Sequence, residues 1–313
     1  MCTSLAIDTL NDHVLAGRTM DFPVKADWKP VIISSATYRT PLAGTRKIKY
    51  PYLGGGRLID NQDILVADGI NTEGLSCSEL MFPLKADYLN EPTADKVNLT
   101  PQDFLFWVLG EHKSIADVLE DLDNIAIIGR EWLSGHEIYS FHWILEDPSG
   151  QVAIIEPLNK RLKVITDNIG VLTNSPTYES HVENLASKLN LAEINNHNLT
   201  SAATKLVSEQ RVPEPTNTPT TRFVYAAITK YGNPKPVNAP EAFAQLSQTL
   251  AEVAIPFKPT MNDHPNFNFT HYISAWDCTS LTYQFTDCAT GKMAEYSLPE
   301  VLDQFANQDR FLV

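Results

Sequence analysis

Cys2-Thr3-Ser4-Leu5-Ala6-Ile7-Asp8 and Gly17-Arg18-Thr19-Met20-Asp21-Phe22 are the stretches on which the fold turns. The first alternates and is rich in Thr, Leu and Ile, which predicts a strand over residues 2–9. Leu10-Asn11-Asp12-His13 follows, and Asn and Asp tolerate the left-handed backbone a tight turn needs. Val14-Leu15-Ala16-Gly17-Arg18 reads as the returning strand. Such a hairpin anchors the beginning of the chain in a sheet and brings Arg18 back beside Cys2.

If Met1 is removed, Cys2 carries a thiol and a free α-amine on adjacent carbons. Small residues after the start methionine favour that removal, and Cys is small. The thiol is a nucleophile, and the amine, with an ordinary pKa of about 7.7–8.0, is a base. One residue then supplies both the attacking atom and the proton acceptor. A permanent cation at Arg18 would disfavour the ammonium and favour thiolate. Asp21, three residues further on, could accept from the amine and orient it.

The 313 residues allow one large core, and 43% apolar and 20% charged residues are ordinary for a globular chain. A formal net charge of -14 argues against a nucleic-acid or anionic-membrane partner. The four cysteines, Cys2, Cys77, Cys278 and Cys288, form no CxxC pair and no zinc-type spacing with His. The last three read as small buried hydrophobes. There is no basic-then-apolar leader and no apolar run near the ~18 residues of a membrane helix. The expectation is a soluble, cytoplasmic protein without metal or cofactor, forming a single domain over 1–313.

Along the chain, residues 31–40 read as a strand, and the triple glycine of Tyr52–Arg57 as a flexible loop without a phosphate-binding pattern. Residues 64–70 and 74–80 form a hairpin. Thr100-Pro101-Gln102-Asp103 predicts a helix capped by Thr100, and Ser114 opens another. Strands follow over 138–146, 152–157 and 161–166, with His142 as a core histidine. Pro176 favours extended backbone at Ser175, which places Asn174 at a strand end with its amide directed into a site. Helices cover 179–190, 198–208, 222–228 and 241–253. Residues 212–220 link and 256–268 loop, and strands return near 272–276, 281–286 and 292–298. Strands, helices and strands again suggest layered sheets covered by helices, an α+β arrangement.

Taken together, Met1-Cys2-Thr3, Gly17–Phe22, Ala67–Leu75, Phe141-His142-Trp143, Ile155-Glu156-Pro157, Gly170–Pro176 and Thr221–Val224 resemble the choloylglycine hydrolase family of bile salt hydrolases and penicillin V acylases. The resemblance implies a four-layer αββα N-terminal-nucleophile sandwich, hydrolysis of a non-peptide linear amide, no metal, and a homotetramer. It implies Cys2 as nucleophile, Arg18 and Asp21 as its electrostatic partners, Asn174 as oxyanion donor and Arg222 as a second active-site arginine. Family members carry Asn or Tyr where this chain has Met81, so the oxyanion role there passes to the Met81 backbone N–H. Met20, Phe22, Met81 and Phe141 are the candidate substrate-binding residues. The Leu80-Met81-Phe82 variation, and no Gly-Asp ahead of Arg222, lean towards penicillin V acylase-like activity. Bile salt hydrolysis stands second and N-acyl homoserine lactone cleavage third. An inactive homologue that binds small ligands is the alternative of another class.

Overall fold

The N-terminal hairpin runs over Cys2–Asp8 and Val14–Phe22, and Asp12 in its turn takes φ 60°. The computed structural model describes residues 2–60, 63–258 and 267–312. In the hairpin Cys2 faces Met20 and Ser4 faces Arg18. Among the described residues the two strands sit inside a six-stranded antiparallel sheet. Val171–Thr173 pairs with the first of them, and Phe269–Asp277, Thr282–Asp287 and Lys292–Ser297 extend the sheet from the second.

A second antiparallel sheet has eight strands. In spatial order they are Arg161–Ile165, Val152–Leu158, Phe141–Glu146, Ser76–Met81, Asp63–Asn71, Tyr52–Ile59, Lys29–Ile33 and Arg310–Phe311. Its inner strands are buried on both faces, and their alternation divides two cores. Ile32, Leu53, Ile144 and Ile154 join Leu5, Leu15 and Trp276 of the first sheet. Val31, Tyr52, Trp143, Leu145 and Ile155 pack with Phe104, Trp107 and Val108 of the helix Asp103–Glu111. A one-residue slip in register would exchange the two sets, so burial on both faces pins the pairing. Helices Pro219–Gly232 and Ala239–Val253 bring Phe223, Leu246 and Leu250 onto the first sheet. The order is helix, sheet, sheet, helix, and the fold is α+β.

The structure corrects several local expectations. Tyr52–Ile59 is a strand of the second sheet, not a flexible loop. Its glycines are there because space is short: a Cβ on Gly54 would lie 1.9 Å from the Asp68 carbonyl, and one on Gly55 2.3 Å from the Tyr272 hydroxyl. Residues 31–40 hold two strands, Lys29–Ile33 and Thr37–Thr40. The strand expected from residue 138 begins at Phe141, and the helix expected from 222 begins at Pro219, capped by Thr218. Thr100 does not cap the helix Asp103–Glu111; its N–H and hydroxyl both donate to Asp103. Of the cysteines expected inside, Cys77 and Cys278 are buried, whereas Cys288 is exposed in the turn after Thr282–Asp287. Most of the loop expected over 256–268 lies outside the described residues. No described helix is long and apolar enough to cross a membrane.

Candidate active site

Cys2 begins the strand next to the edge strand Val171–Thr173 of the first sheet and is 2% exposed. Its position follows from pairing on both sides, with Met20 across one edge and Thr3 opposite Thr173 across the other. A terminus held in this way fixes a nucleophile that a frayed end could not position.

Arg18 lies on the neighbouring strand, and its Nη2 donates to Cys2 Sγ at 2.8 Å. The guanidinium is fully buried, with Nη1 on the Ala67 carbonyl at 2.8 Å and 3.6 Å from Asp68 Oδ2. Burial opposes its charge, but Cys2, Tyr272, Asp68 and Glu79 around it hold its pKa above the ordinary arginine value. Asp68 is itself tied down. Tyr272 and Tyr283 donate their hydroxyls to its two oxygens at 2.5 and 2.6 Å, and Gly55 N–H adds a third contact at 3.3 Å.

Asn174 directly follows the strand Val171–Thr173. Its Oδ1 accepts from the Cys2 backbone nitrogen and from Arg222 Nη2, the latter at 3.1 Å. Its Nδ2 donates to the Met81 carbonyl at 2.8 Å. The Asn174 amide expected to serve an oxyanion is thus committed in part: one N–H goes to Met81, and the second remains for a ligand. His181 secures the Asn174 carbonyl at 2.7 Å, and burial lowers its pKa to about 4, so the ring is neutral at working pH.

Met81 ends its strand. Phe82 N–H donates across to Ser140 O at 2.6 Å, so the alternation of an antiparallel ladder turns the Met81 N–H and carbonyl the other way, the side on which Asn174 meets that carbonyl. The neighbouring strand Asp63–Asn71 does not cover this edge, because its pairing stops at Asp68 opposite Ser78.

Arg222 binds the backbone of Cys2 rather than its thiol. Its Nη1 donates to the Cys2 carbonyl at 2.8 Å and to Thr3 Oγ1 at 2.5 Å, and lies 3.7 Å from Asp21. Burial lowers its pKa, with Asp21 and Cys2 opposing. Asp21 accepts from Thr270 Oγ1 at 2.6 Å. Cys2, Arg18 and Asp21 line one cavity with Met20, Phe22, Met81 and Phe141. Its other wall residues, Trp28, Arg57, Leu65, Glu79 and Tyr139, were not singled out from sequence. Asp68 and Glu79 had a readable signal, being charged residues inside apolar strand runs. Tyr272, Tyr283 and Thr270 had none, since their partners are more than 200 positions away. His142 is buried in the layer behind, with Nδ1 3.3 Å from Glu156 and its ring stacked on Phe82. Its Nε2 has no partner among the described residues.

Two facing antiparallel sheets between helices, with a buried cysteine at the head of an inner strand, define the N-terminal-nucleophile hydrolase fold. The chain belongs to the choloylglycine hydrolase family: residues 2–304 match the family described as linear amide C–N hydrolases, choloylglycine hydrolase family. It is a hydrolase of carbon–nitrogen bonds other than peptide bonds, in linear amides. A bile salt hydrolase/transferase of Clostridium perfringens is 35% identical over 59% of the chain and 56% of that relative's length. A conjugated bile acid hydrolase of Lactobacillus acidophilus is 27% identical over 90% of the chain and 91% of the relative. The crystal structure of a variant conjugated bile acid hydrolase from Clostridium perfringens superposes with a TM-score of 0.83 at 26% identity, covering 100% of this chain and 97% of that one. A penicillin V acylase of Pectobacterium atrosepticum is more distant, 23% identical over 55% of the chain and 48% of its own length. Similarity therefore supports bile salt hydrolysis more than the penicillin V acylase-like activity towards which Met81 and the region before Arg222 lean.

Proposed function

We propose that the protein hydrolyses amides of the conjugated bile acid kind through Cys2 after loss of Met1. The observation that carries the reading is the pair of contacts on this one residue: Arg18 on its sulfur and Asn174 on its nitrogen. Once Met1 has left, that nitrogen is an α-amine already oriented by Asn174 Oδ1.

The amine takes the thiol proton, and the thiolate accepts from Arg18. Sulfur attacks the amide carbon, and the C=O electron pair moves onto oxygen. The Met81 N–H and the second N–H of Asn174 stabilise this oxyanion, each such donor being worth roughly 10²–10³ in rate. Collapse breaks the C–N bond as the α-ammonium protonates the departing amine. Water then adds to the thioester, with the amine as base, and releases the acid. Arg222 holds the Cys2 carbonyl and Asn174 in register. Asp21, fixed by Thr270, places a negative charge in the same cavity and favours the ammonium formed during turnover.

Similarity to the bile acid hydrolases supports the steroid-amide reading. A second reading, small aromatic acyl groups such as phenoxyacetyl, is favoured by the rings Phe22, Trp28, Tyr139 and Phe141 that line the cavity. The Met20, Phe22, Met81 and Phe141 set fits either as the acyl-binding wall. The homotetramer expected from the family remains part of this proposal.

Cys2→Ser that folds normally should lose nearly all turnover; undiminished activity would defeat the mechanism. Side-by-side kcat/KM values on glycine- and taurine-conjugated bile salts, penicillin V and an N-acyl homoserine lactone decide the substrate. Turnover of penicillin V with none of the bile salts would replace the first reading by the second.

A further inference from the structure

Glu79 is a carboxylic acid in the cavity wall that the reaction just described does not use. We propose that Glu79 is a specificity-determining residue whose carboxyl group hydrogen-bonds an ether or hydroxyl oxygen on the acyl half of the substrate. The inference rests on acyl transfer at Cys2 and goes beyond it by naming what the acyl group must carry.

The placement is structural. Glu79 sits on the strand Ser76–Met81, one residue past the last pairing with Asp63–Asn71, and shares a strand face with Met81, two residues on. It lines the cavity with Cys2, Arg18, Leu65, Tyr139 and Phe141. The residue is 3% exposed, and among the described residues its Oε2 has no hydrogen-bond partner. A buried carboxyl oxygen without a partner is rare in a folded protein and calls for an explanation. Elsewhere in the wall Arg18 is engaged with Cys2, Ala67 and Asp68, and Arg57 lies over the rings of Phe22 and Trp28 and beside the Tyr139 hydroxyl, while Arg57 Nε and Trp28 Nε1, both donors, have no hydrogen-bond partner among the described residues.

The chemistry of the surroundings sets the form of the carboxyl. Burial, against the pull of Arg18 and aided by Cys2 and Asp68, holds its pKa well above the usual carboxylate range. Cys77, Tyr88 and Tyr139 also face it. In its protonated form, which burial favours, Glu79 is an O–H donor set in a mostly apolar wall. An all-carbon acyl chain would leave that donor unmet, whereas an ether or hydroxyl oxygen would accept from it. Sites built to hydrogen-bond a substrate group reject analogues that lack it more strongly than apolar pockets reject a missing methylene.

The test compares phenoxyacetyl and 3-phenylpropanoyl amides of one amine, which differ by O for CH₂. The wild type should favour the phenoxyacetyl amide by about tenfold in kcat/KM, mainly through KM. Glu79→Gln, which keeps an N–H donor, should keep most of the preference, and Glu79→Leu should bring the ratio close to one. The wild-type ratio should fall as alkaline pH ionises the carboxyl, while the Glu79→Gln ratio stays level. A wild-type ratio near one, or a ratio unchanged in Glu79→Leu, overturns the proposal. Where Glu79→Leu fails to fold, the pH contrast between wild type and Glu79→Gln decides. Failure of the acyl-transfer reading shows separately, as no turnover of any amide. Calorimetric binding of the same two amides to Cys2→Ala protein then reads Glu79 alone: tighter binding of the oxygen-bearing amide upholds it, and equal or absent binding of both overturns it.

Discussion

Two sides of Arg18 are built on opposite principles. On the side of Asp68 the carboxylate is answered on both oxygens: Tyr272 and Tyr283 each hold one, Gly55 N–H adds a contact, and the two sheets close over them. On the side of Cys2 the polar groups are incompletely answered. Glu79 Oε2 lacks a partner, Asn174 has an N–H beyond the one given to Met81, and the Met81 strand edge is uncovered. The satisfied side holds the guanidinium rigid, and the unsatisfied side faces the cavity that the proposed reaction uses. A buried arginine at a reactive sulfur needs both, because its desolvation must be offset without covering the face that works.

The largest expected effect breaks the link between the sides. Arg18→Met should lower kcat by about 10²–10³, and the stranded Asp68 should cost about 3–5 kcal/mol of stability. Steady-state rates and urea unfolding check the two parts. If kcat falls while stability holds, Asp68 does not depend on Arg18. Asp68→Asn tests the satisfied side alone. It should destabilise by a similar or somewhat smaller amount, and lower kcat less than Arg18→Met, since the guanidinium keeps its Ala67 contact.

The third test asks whether the number of donors decides a buried carboxyl's charge. Glu146, with Ser76 Oγ on one oxygen at 2.5 Å and no partner for Oε1 among the described residues, is pushed by burial from 4.5 up to about 7. A raised carboxyl stabilises the fold below its unfolded pKa and loses that contribution as pH rises through about 7. Glu146→Gln should therefore gain stability relative to wild type between pH 5 and pH 8, by up to about 3 kcal/mol from the size of the shift. A difference between the two that does not change with pH would show that Glu146 is ionised throughout.

Much of the site could be read from residue order, and the reasons are local. Cys2, Arg18 and Asp21 belong to one hairpin, whose turn and alternation are short-range signals. Asn174 lies beside Pro176, and Arg222 follows a Thr-Pro helix start. The satisfied side could not be read, because it joins Asp68 to Tyr272 and Tyr283, and Gly55 to the space under Tyr272, across the chain. The same long-range contact made the triple glycine look like a loop: three glycines in succession suggest flexibility until another strand is known to crowd them. Glu79 was legible only as a charge within an apolar run, a feature shared by structural and functional residues alike.

Rapid acid quench during turnover, followed by intact mass and peptide mapping, tests the central claim most directly. The account predicts a chain without Met1, carrying the substrate's acyl group as a thioester on Cys2. Full activity in a chain that retains Met1, or an acyl group on any other residue, would contradict it.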